Sequence, residues 1–363
     1  MTNKTNQLDS PLTLRSGVTL PNRFGLAPLT NTQSNPDGSL HEEELSWLVR
    51  RAGHFGLIST CAAYVSEEGK AWVGQLGVAE DHHLPGLTRL AKEIKARGSV
   101  PMVQLHHAGK RASLAPQKIS TSDDGGVRGA SNEDIRRIIN DFVQAAVRVE
   151  QAGFSGVEVH GANGYIFTQF LSPRDNPRTD EYGGDISGRA KFLRETLQAI
   201  RRQVSPSFMV NVRISPVDFR DRRGIRLDES VQLAQWLAED GVDVIHLSLQ
   251  DASGPAPFED HHRPIARVIR EATPPEVMVA AAGGIWNRED AKRAVDAGVD
   301  IAVLGKAAIV HPDWPTTSQS KTFTPARPPW EVEYLQKVAV GPNFQEYLKR
   351  NPGMVVGGAP PRL

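Results

Sequence analysis

Residues 156–173 read GVEVHGANGYIFTQFLSP. A short apolar strand runs straight into a histidine, an asparagine and a tyrosine, His160, Asn163 and Tyr165, packed within six positions. Along a strand successive side chains point to opposite faces, so Val157 and Val159 share one face while Glu158 and His160 share the other. Asn163-Gly164 is a turn dipeptide that ends the strand. Working outward, the same strand-then-helix rhythm recurs. The other strand candidates are FGLAPL (24–29), GLISTCAAYV (56–65), VPMVQLHH (100–107), FMVNVRIS (208–215), VDVIHLSL (242–249), VMVAAAGG (277–284) and IAVLGKAA (301–308).

The segments between them carry helix signals. Ser131 and Asp134 form a capping pair ahead of Ile135, Ile138, Ile139, Phe142, Ala145, Ala146 and Val149, and Gly153 closes that helix. Phe192, Leu193, Thr196, Leu197, Ile200 and Val204 line a second helix, a third runs from Asp228 to near Gly241, and a fourth from Asn287 to Gly298. Eight strand–helix units with right-handed crossovers close most naturally into an α/β fold of the (β/α)8 TIM-barrel type, with a doubly wound open sheet as its competitor. The opening LTLRSGVTLPNR (12–23) reads as a small β-hairpin capping the lower mouth. Long loops at 108–130 and 250–263 follow strands, at the C-terminal face where barrel enzymes place their active sites. Nothing divides domains: 1–363 reads as a single domain with a barrel core of about 24–312 and a C-terminal extension, 313–363. The proline-rich 312–330 and the tail GGAPPRL read as surface connections, with the last ten residues poorly ordered.

Composition narrows the function. Lys plus Arg and Asp plus Glu are both 42, so no net field gathers nucleic acid or an anionic membrane. Cys61 is the only cysteine, which excludes an internal disulfide, a cysteine-held iron–sulfur cluster and a cysteine-based zinc site, and fits a reducing, cytoplasmic setting. Cys61 itself reads as a buried apolar residue. MTNKTNQLDSPL lacks the apolar run of an export signal, and no stretch approaches the ~18 apolar residues of a membrane span. The pairs His82-His83, His106-His107 and His261-His262 raise a metal-dependent hydrolase as a rival. Adjacent rings on a strand point to opposite faces, however, and no two histidines and a carboxylate converge on one strand end, so no metal is expected.

The strand ends are polar. Alternation places Gln104 with His106, Glu158 with His160, and Asn211 with Arg213 on one interior face, with Glu158 as a structural carboxylate whose cationic partner is expected to be Arg213. Strands seven and eight end in Gly283-Gly284 and Gly305-Lys306, where bare backbone N–H groups and a cation suit a phosphate. An amide and a guanidinium, Gln104 and Arg213, then suit the polar edge of a planar ring.

With these residues in view, the chain resembles the Old Yellow Enzyme family of FMN-dependent ene-reductases across nearly its whole length. The resemblance is carried by LPNRFGLAPLTNTQ (20–33), VQLHHAGK (103–110), AGFSGVEVHGANGYIFTQFLSPRDNPRTDEYGG (152–184), VRIS (212–215), AAGGI (281–285) and LGKAAI (304–309). It implies bound FMN, with Ala27, Pro28, Leu29 and Thr30 along the flavin ring and Ala62 contributing from strand two. Gln104 and Arg213 are implied at the pyrimidine edge, and Gly283, Gly284, Gly305 and Lys306 at the phosphate. His160 and Asn163 match the family's substrate-anchoring pair, and Tyr165 its proton donor. The implied activity is transfer of hydride from NADH or NADPH, through flavin, to the β-carbon of a small α,β-unsaturated carbonyl compound. An FMN-binding sensor or storage protein without turnover is the alternative.

The chain also departs from the pattern. Lys306 stands where many members carry Arg, Thr30 where one branch carries Cys, and Thr32 where that branch has a substrate-contacting Tyr. Thr32 is nonetheless a candidate substrate contact. In some relatives a C-terminal arginine reaches a neighbouring subunit's site, which makes Arg362 the candidate counterpart and leaves room for a homo-oligomer. The family's larger reductases, with an iron–sulfur cluster and a dinucleotide domain, are excluded by the single cysteine and the absence of G-x-G-x-x-G.

Overall fold

A computed structural model describes residues 7–258 and 262–360. Eight strands close one barrel: β1 (Phe24–Leu26), β2 (Leu57–Tyr64), β3 (Val100–His106), β4 (Gly156–Gly161), β5 (Met209–Ile214), β6 (Val244–Ser248), β7 (Met278–Ala282) and β8 (Ile301–Leu304). Every neighbouring pair is parallel, and β8 returns to β1 through Ala302↔Phe24, Val303↔Gly25 and Leu304↔Leu26. β1 is shorter than its sequence suggests. Ala27 still donates its N–H to the Leu304 carbonyl, but Pro28 has no N–H to give, so the ladder stops there.

The outer faces of the strands pack on the helices. Val157 and Val159 of β4 are fully buried in one cluster with Ile138, Phe142 and Ala145 of α3 (Asn132–Gln151). That helix begins at Ser131, whose hydroxyl accepts from the Asp134 N–H while Asp134 accepts the Ser131 N–H in return. Gly153 (φ 84°) reverses the chain after it. The lower interior is a separate apolar cluster of Leu57, Met102, Met209, Val244, Ala280, Ile301 and Val303. The hairpin Leu12–Thr13/Thr19–Leu20 plugs it from below with Leu14 and Leu20, each burial being worth about 1.5–3 kcal/mol. Asp243, fully buried before β6, fastens the plug by accepting the N–H groups of Ser16 and Val210.

Two expectations are corrected here. Segment 312–330 is not merely a surface connection: Trp314 and Trp330 are buried, and Trp314 donates to the Trp286 carbonyl while its ring lies edge-on to Phe24. The tail is also tied down as far as Ala359, since Val356 N–H bonds the Trp330 carbonyl and Ala359 N–H that of Lys349. Arg362 and His261 lie outside the described residues. The extension carries the helices Trp314–Thr317, Val332–Lys337 and α12 (Pro342–Arg350). It is locked to the barrel by the buried Arg51 guanidinium, which donates to the carbonyls of Trp47, Ala308, Ile309 and Val338. Among the described residues, no helix is long and apolar enough to cross a membrane.

Candidate active site

The upper interior of the barrel is polar. Gln104 of β3 donates its amide to Glu158 Oε1 at 2.7 Å, and His246 of β6 donates Nδ1–H to Glu158 Oε2 at 2.8 Å. Burial alone raises the Glu158 carboxyl, but His246 and Arg213 together with the Gln104 bond hold it below the usual carboxylate range. The partner in contact is thus His246 rather than Arg213. Arg213 instead donates Nη2–H to Ser248 Oγ at 3.0 Å, while its Nε is buried without a partner. Ser248 passes its own hydroxyl hydrogen to Asn163 Oδ1 at 2.9 Å.

His160 stands at the top of β4, 4% exposed, and its Nδ1 accepts the Ala162 N–H at 3.2 Å. Burial, with the neighbouring His106 and Arg213, holds its pKa well below the ordinary value. The ring is therefore neutral, and its proton is on Nε2. Tyr165 lies beside it with ring centroids 5.1 Å apart, and against His106 at 4.3 Å. Burial raises the Tyr165 phenol, so it holds its proton at neutral pH. Asn163 sits in the left-handed region (φ 61°), which an asparagine tolerates, and its backbone is pinned on both sides. Its N–H goes to Ser215 Oγ, and its carbonyl accepts from Arg111 Nη1 at 2.9 Å.

The loop between β1 and the helix Glu42–Val49 supplies another wall. Thr30, Thr32, Trp72, Ser113, Tyr165 and Tyr347 line one cavity of about 820 Å³, and Thr32 (φ 54°) donates its hydroxyl to the Asn343 carbonyl. Ala27 and Leu29 lie under Gly305, where an added Cβ would meet Leu29 Cδ2 at 3.6 Å and Ala27 Cβ at 3.9 Å. Pro28 is buried between them. Gly283 (φ 157°) leaves no room for a side chain, since a Cβ would lie 2.7 Å from the Leu249 carbonyl oxygen, and Gly284 (φ 64°) follows it. Ala62 offers its carbonyl to Gln75 Nε2. Lys306 opens the short helix after β8, exposed and without a side-chain bond among the described residues. Cys61 is buried beside Glu44, its thiol pushed well up by burial.

Four contributors escaped sequence reading. His246 and Ser248 had a readable signal, because Val244, His246 and Ser248 alternate inward on β6 as the polar residues do on β3 to β5. Gln75 and Tyr347 had none, since a mid-loop amide and a tyrosine in the C-terminal helix are placed only by the fold.

The chain matches the NADH:flavin oxidoreductase / NADH oxidase family over residues 7–324. It is 34% identical over 328 residues to a probable NADH-dependent flavin oxidoreductase, YqiG, of Bacillus subtilis (strain 168), spanning 86% of this chain and 88% of that protein. An NADPH dehydrogenase of Bacillus cytotoxicus is 35% identical over 328 residues, spanning 87% and 92%. The solved structure of morphinone reductase superposes with a TM-score of 0.76 at 25% identity, covering 90% of this chain and 92% of that one. The polar barrel mouth, the closed parallel barrel and these matches converge: the chain belongs to the NADH:flavin oxidoreductase / NADH oxidase family, the Old Yellow Enzyme family, and is an NAD(P)H-dependent oxidoreductase with FMN as its flavin.

Proposed function

We propose that this enzyme reduces the carbon–carbon double bond of small α,β-unsaturated carbonyl compounds, with His160 and Asn163 holding the carbonyl oxygen and Tyr165 delivering the proton. Bound FMN would supply the two-electron chemistry that links NADH or NADPH to the substrate's β-carbon. The residues present fit that cofactor. The buried, partnerless Arg213 Nε is a donor for an acceptor at the ring edge, and Gln104 is oriented by the same Glu158 carboxylate that the Arg213 charge stabilises. Gly283 turns too close to the Leu249 and Ala252 backbone for any side chain, Gly284 follows in the left-handed region, and Gly305, Ala27 and Leu29 close together beneath the adjoining rim. In this reading Gln104 and Arg213 hold the pyrimidine edge, Ala27 to Thr30 and Ala62 flank the ring, and Gly283, Gly284, Gly305 and Lys306 hold the phosphate.

The observation that carries the reading is the pairing of His160 with Tyr165: a neutral ring with its proton on Nε2, 5.1 Å from a phenol that keeps its hydrogen. As the β-carbon is reduced, negative charge gathers on the carbonyl oxygen. Two preorganised donors, His160 Nε2–H and the Asn163 amide, stabilise it by several kcal/mol. Asn163 is suited to this because Ser248 occupies its Oδ1 and leaves the Nδ2 hydrogens for the substrate. Thr32, which lines the 820 Å³ cavity together with Tyr165, contacts the rest of the substrate. The α-carbon then takes the Tyr165 proton.

The test is anaerobic and spectroscopic. The yellow protein is bleached with NADH or NADPH, then given 2-cyclohexenone, and colour should return. Tyr165→Phe should leave bleaching intact and slow recovery by about 10²–10⁴, the usual contribution of a general acid. A protein that stays colourless with saturating riboflavin phosphate, or a Tyr165→Phe variant slowed equally in both steps, refutes the reading.

A further inference from the structure

Delivery of a proton from Tyr165 creates a charge. The phenolic O–H breaks, a C–H bond forms at the substrate's α-carbon, and the electron pair left on oxygen makes a phenolate that solvent later reprotonates. That phenolate forms in a pocket where burial already disfavours it. Several groups face the ring, and most cannot compensate. His106 is neutral, its pKa held at about 3 by burial, and its Nδ1 accepts from Gln75 Nε2 at 3.1 Å. His160 is neutral as well. Tyr347, from α12, disfavours a second negative charge. Arg213 is cationic, but it shares its field with the buried Glu158 carboxylate and bonds Ser248.

Arg111 differs from all of these. It ends the single turn Gly109–Arg111 that follows β3, and among the described residues no carboxylate lies within ion-pair distance of it. Its guanidinium carbon is 5.6 Å from the Tyr165 ring centroid, and Nη1 donates to the Asn163 carbonyl at 2.9 Å. A Cβ on Gly164 would stand 2.8 Å from Arg111 Nη2, so the bare glycine is what lets the cation lie across the Asn163–Tyr165 turn. An uncompensated cation over an aromatic face is favourable with the neutral phenol and more so with the phenolate. We propose that Arg111 is the counter-charge for Tyr165 in the proton-transfer step, held over the phenol by the Asn163 carbonyl and by the missing side chain at Gly164. It is a positioning residue that acts through Tyr165, and the proposal rests on Tyr165 being the proton donor.

The experiment compares Arg111→Met, which keeps the length and loses the charge, with Arg111→Lys, in the FMN-loaded enzyme. Reoxidation of the NADH-reduced enzyme by 2-cyclohexenone should slow at least tenfold in Arg111→Met, with reduction by NADH changed less than twofold. Arg111→Lys should recover most of the rate. With tyrosine labelled at Cζ with carbon-13, the Tyr165 resonance of the oxidised enzyme should titrate at least one pH unit higher in Arg111→Met than in the parent. In a Tyr165→Phe background Arg111→Met should have no further effect on reoxidation. An equal effect in that background, an unmoved Tyr165 titration, or no recovery with Arg111→Lys overturns the proposal. A Tyr165→Phe enzyme that reoxidises at the parent rate instead sinks the underlying assignment of Tyr165, and the Arg111 role with it.

Discussion

Two parts of the site are held in different ways: the β4 side, which reaches the 820 Å³ cavity through Tyr165, and α12, which lines the same cavity. The β4 wall, with Glu158, His160 and the turn to Tyr165, is fixed by backbone: Met102↔Gly156 to Leu105↔Val159 on one side, Gly156↔Met209 to Gly161↔Ile214 on the other. The α12 wall, with Asn343, Glu346, Tyr347 and Arg350, belongs to no sheet and lies beyond residue 324, where the family match ends. Phe344 packs edge-on against Trp47 at 5.6 Å, and polar contacts join the helix start to the segment after β1. Gln33 Oε1 accepts the Gly341 N–H, the Asn343 carbonyl accepts from Thr32, and Glu43 accepts the Asn343 N–H. A wall built into a ladder moves only if the barrel opens. A wall hung on side chains can shift for about 1 kcal/mol per bond, and is the natural place for substrate preference to change.

The sharpest way to break this contrast is Glu158→Ala. It strands His246 Nδ1 and the Gln104 amide beside Arg213, and loss of one member of a buried ionic network costs about 3–5 kcal/mol. Urea unfolding should show that loss over the whole barrel, and a change under about 1 kcal/mol would mean that this wall is no more rigid than the other. Ser248→Ala comes next. It removes the acceptor of Arg213 and the donor to Asn163, costing about 1.5–3 kcal/mol, the range for hydrogen bonds to charged groups. Steady-state kinetics with 2-cyclohexenone should show kcat/KM reduced by roughly ten- to a hundredfold as Asn163 loses its orientation.

Acid tests the β4 side in a third way. Burial depresses the pKa values of His106, His160 and His246, so the unfolded chain binds protons below pH ~6.5 that the folded protein refuses. Their stabilisation is whole above that pH and is lost as pH falls towards the folded values, which for His106 is about 3. Between pH 5 and 4, His106→Gln should therefore flatten the dependence of unfolding free energy on pH by about 1.4 kcal/mol per unit, one proton's worth. An unchanged slope would show that His106 is charged in the folded state.

Most of the β4 wall was legible because alternation is a local rule. Gln104, Glu158, His160 and Arg213 could be assigned to one face from spacing alone. His246 and Ser248 obey the same rule on β6 and were readable by it. Glu158's partner was not, since alternation gives a face but not which of two nitrogen-bearing side chains, one strand or two strands away, makes contact. The α12 wall was illegible for a different reason. Nothing local in GPNFQEYLKR says that this helix returns to the barrel mouth; that follows from Arg51, which reaches the Val338 carbonyl 287 residues later in the chain, and from the loop around Gln33.

That loop carries the smallest expected effect. Gln33 is fully buried, and its Oε1 is the acceptor for Gly341 N–H at the start of α12. Its neighbours are held from below: Asn31 and Ser34 both donate to Glu44, a fully buried carboxyl that burial raises, so the loop cannot follow the helix if the bond is lost. Gln33→Ala should therefore free α12 and leave the loop in place, at about 1 kcal/mol. The barrel's urea midpoint should barely move. Amide exchange over 341–350 should accelerate about fivefold, which is what 1 kcal/mol buys in a local opening equilibrium, and KM for a bulky enone should shift while kcat for 2-cyclohexenone holds. If exchange in β4 accelerates along with α12, the two walls form one cooperative unit, and the division between a fixed chemical wall and a movable outer one fails.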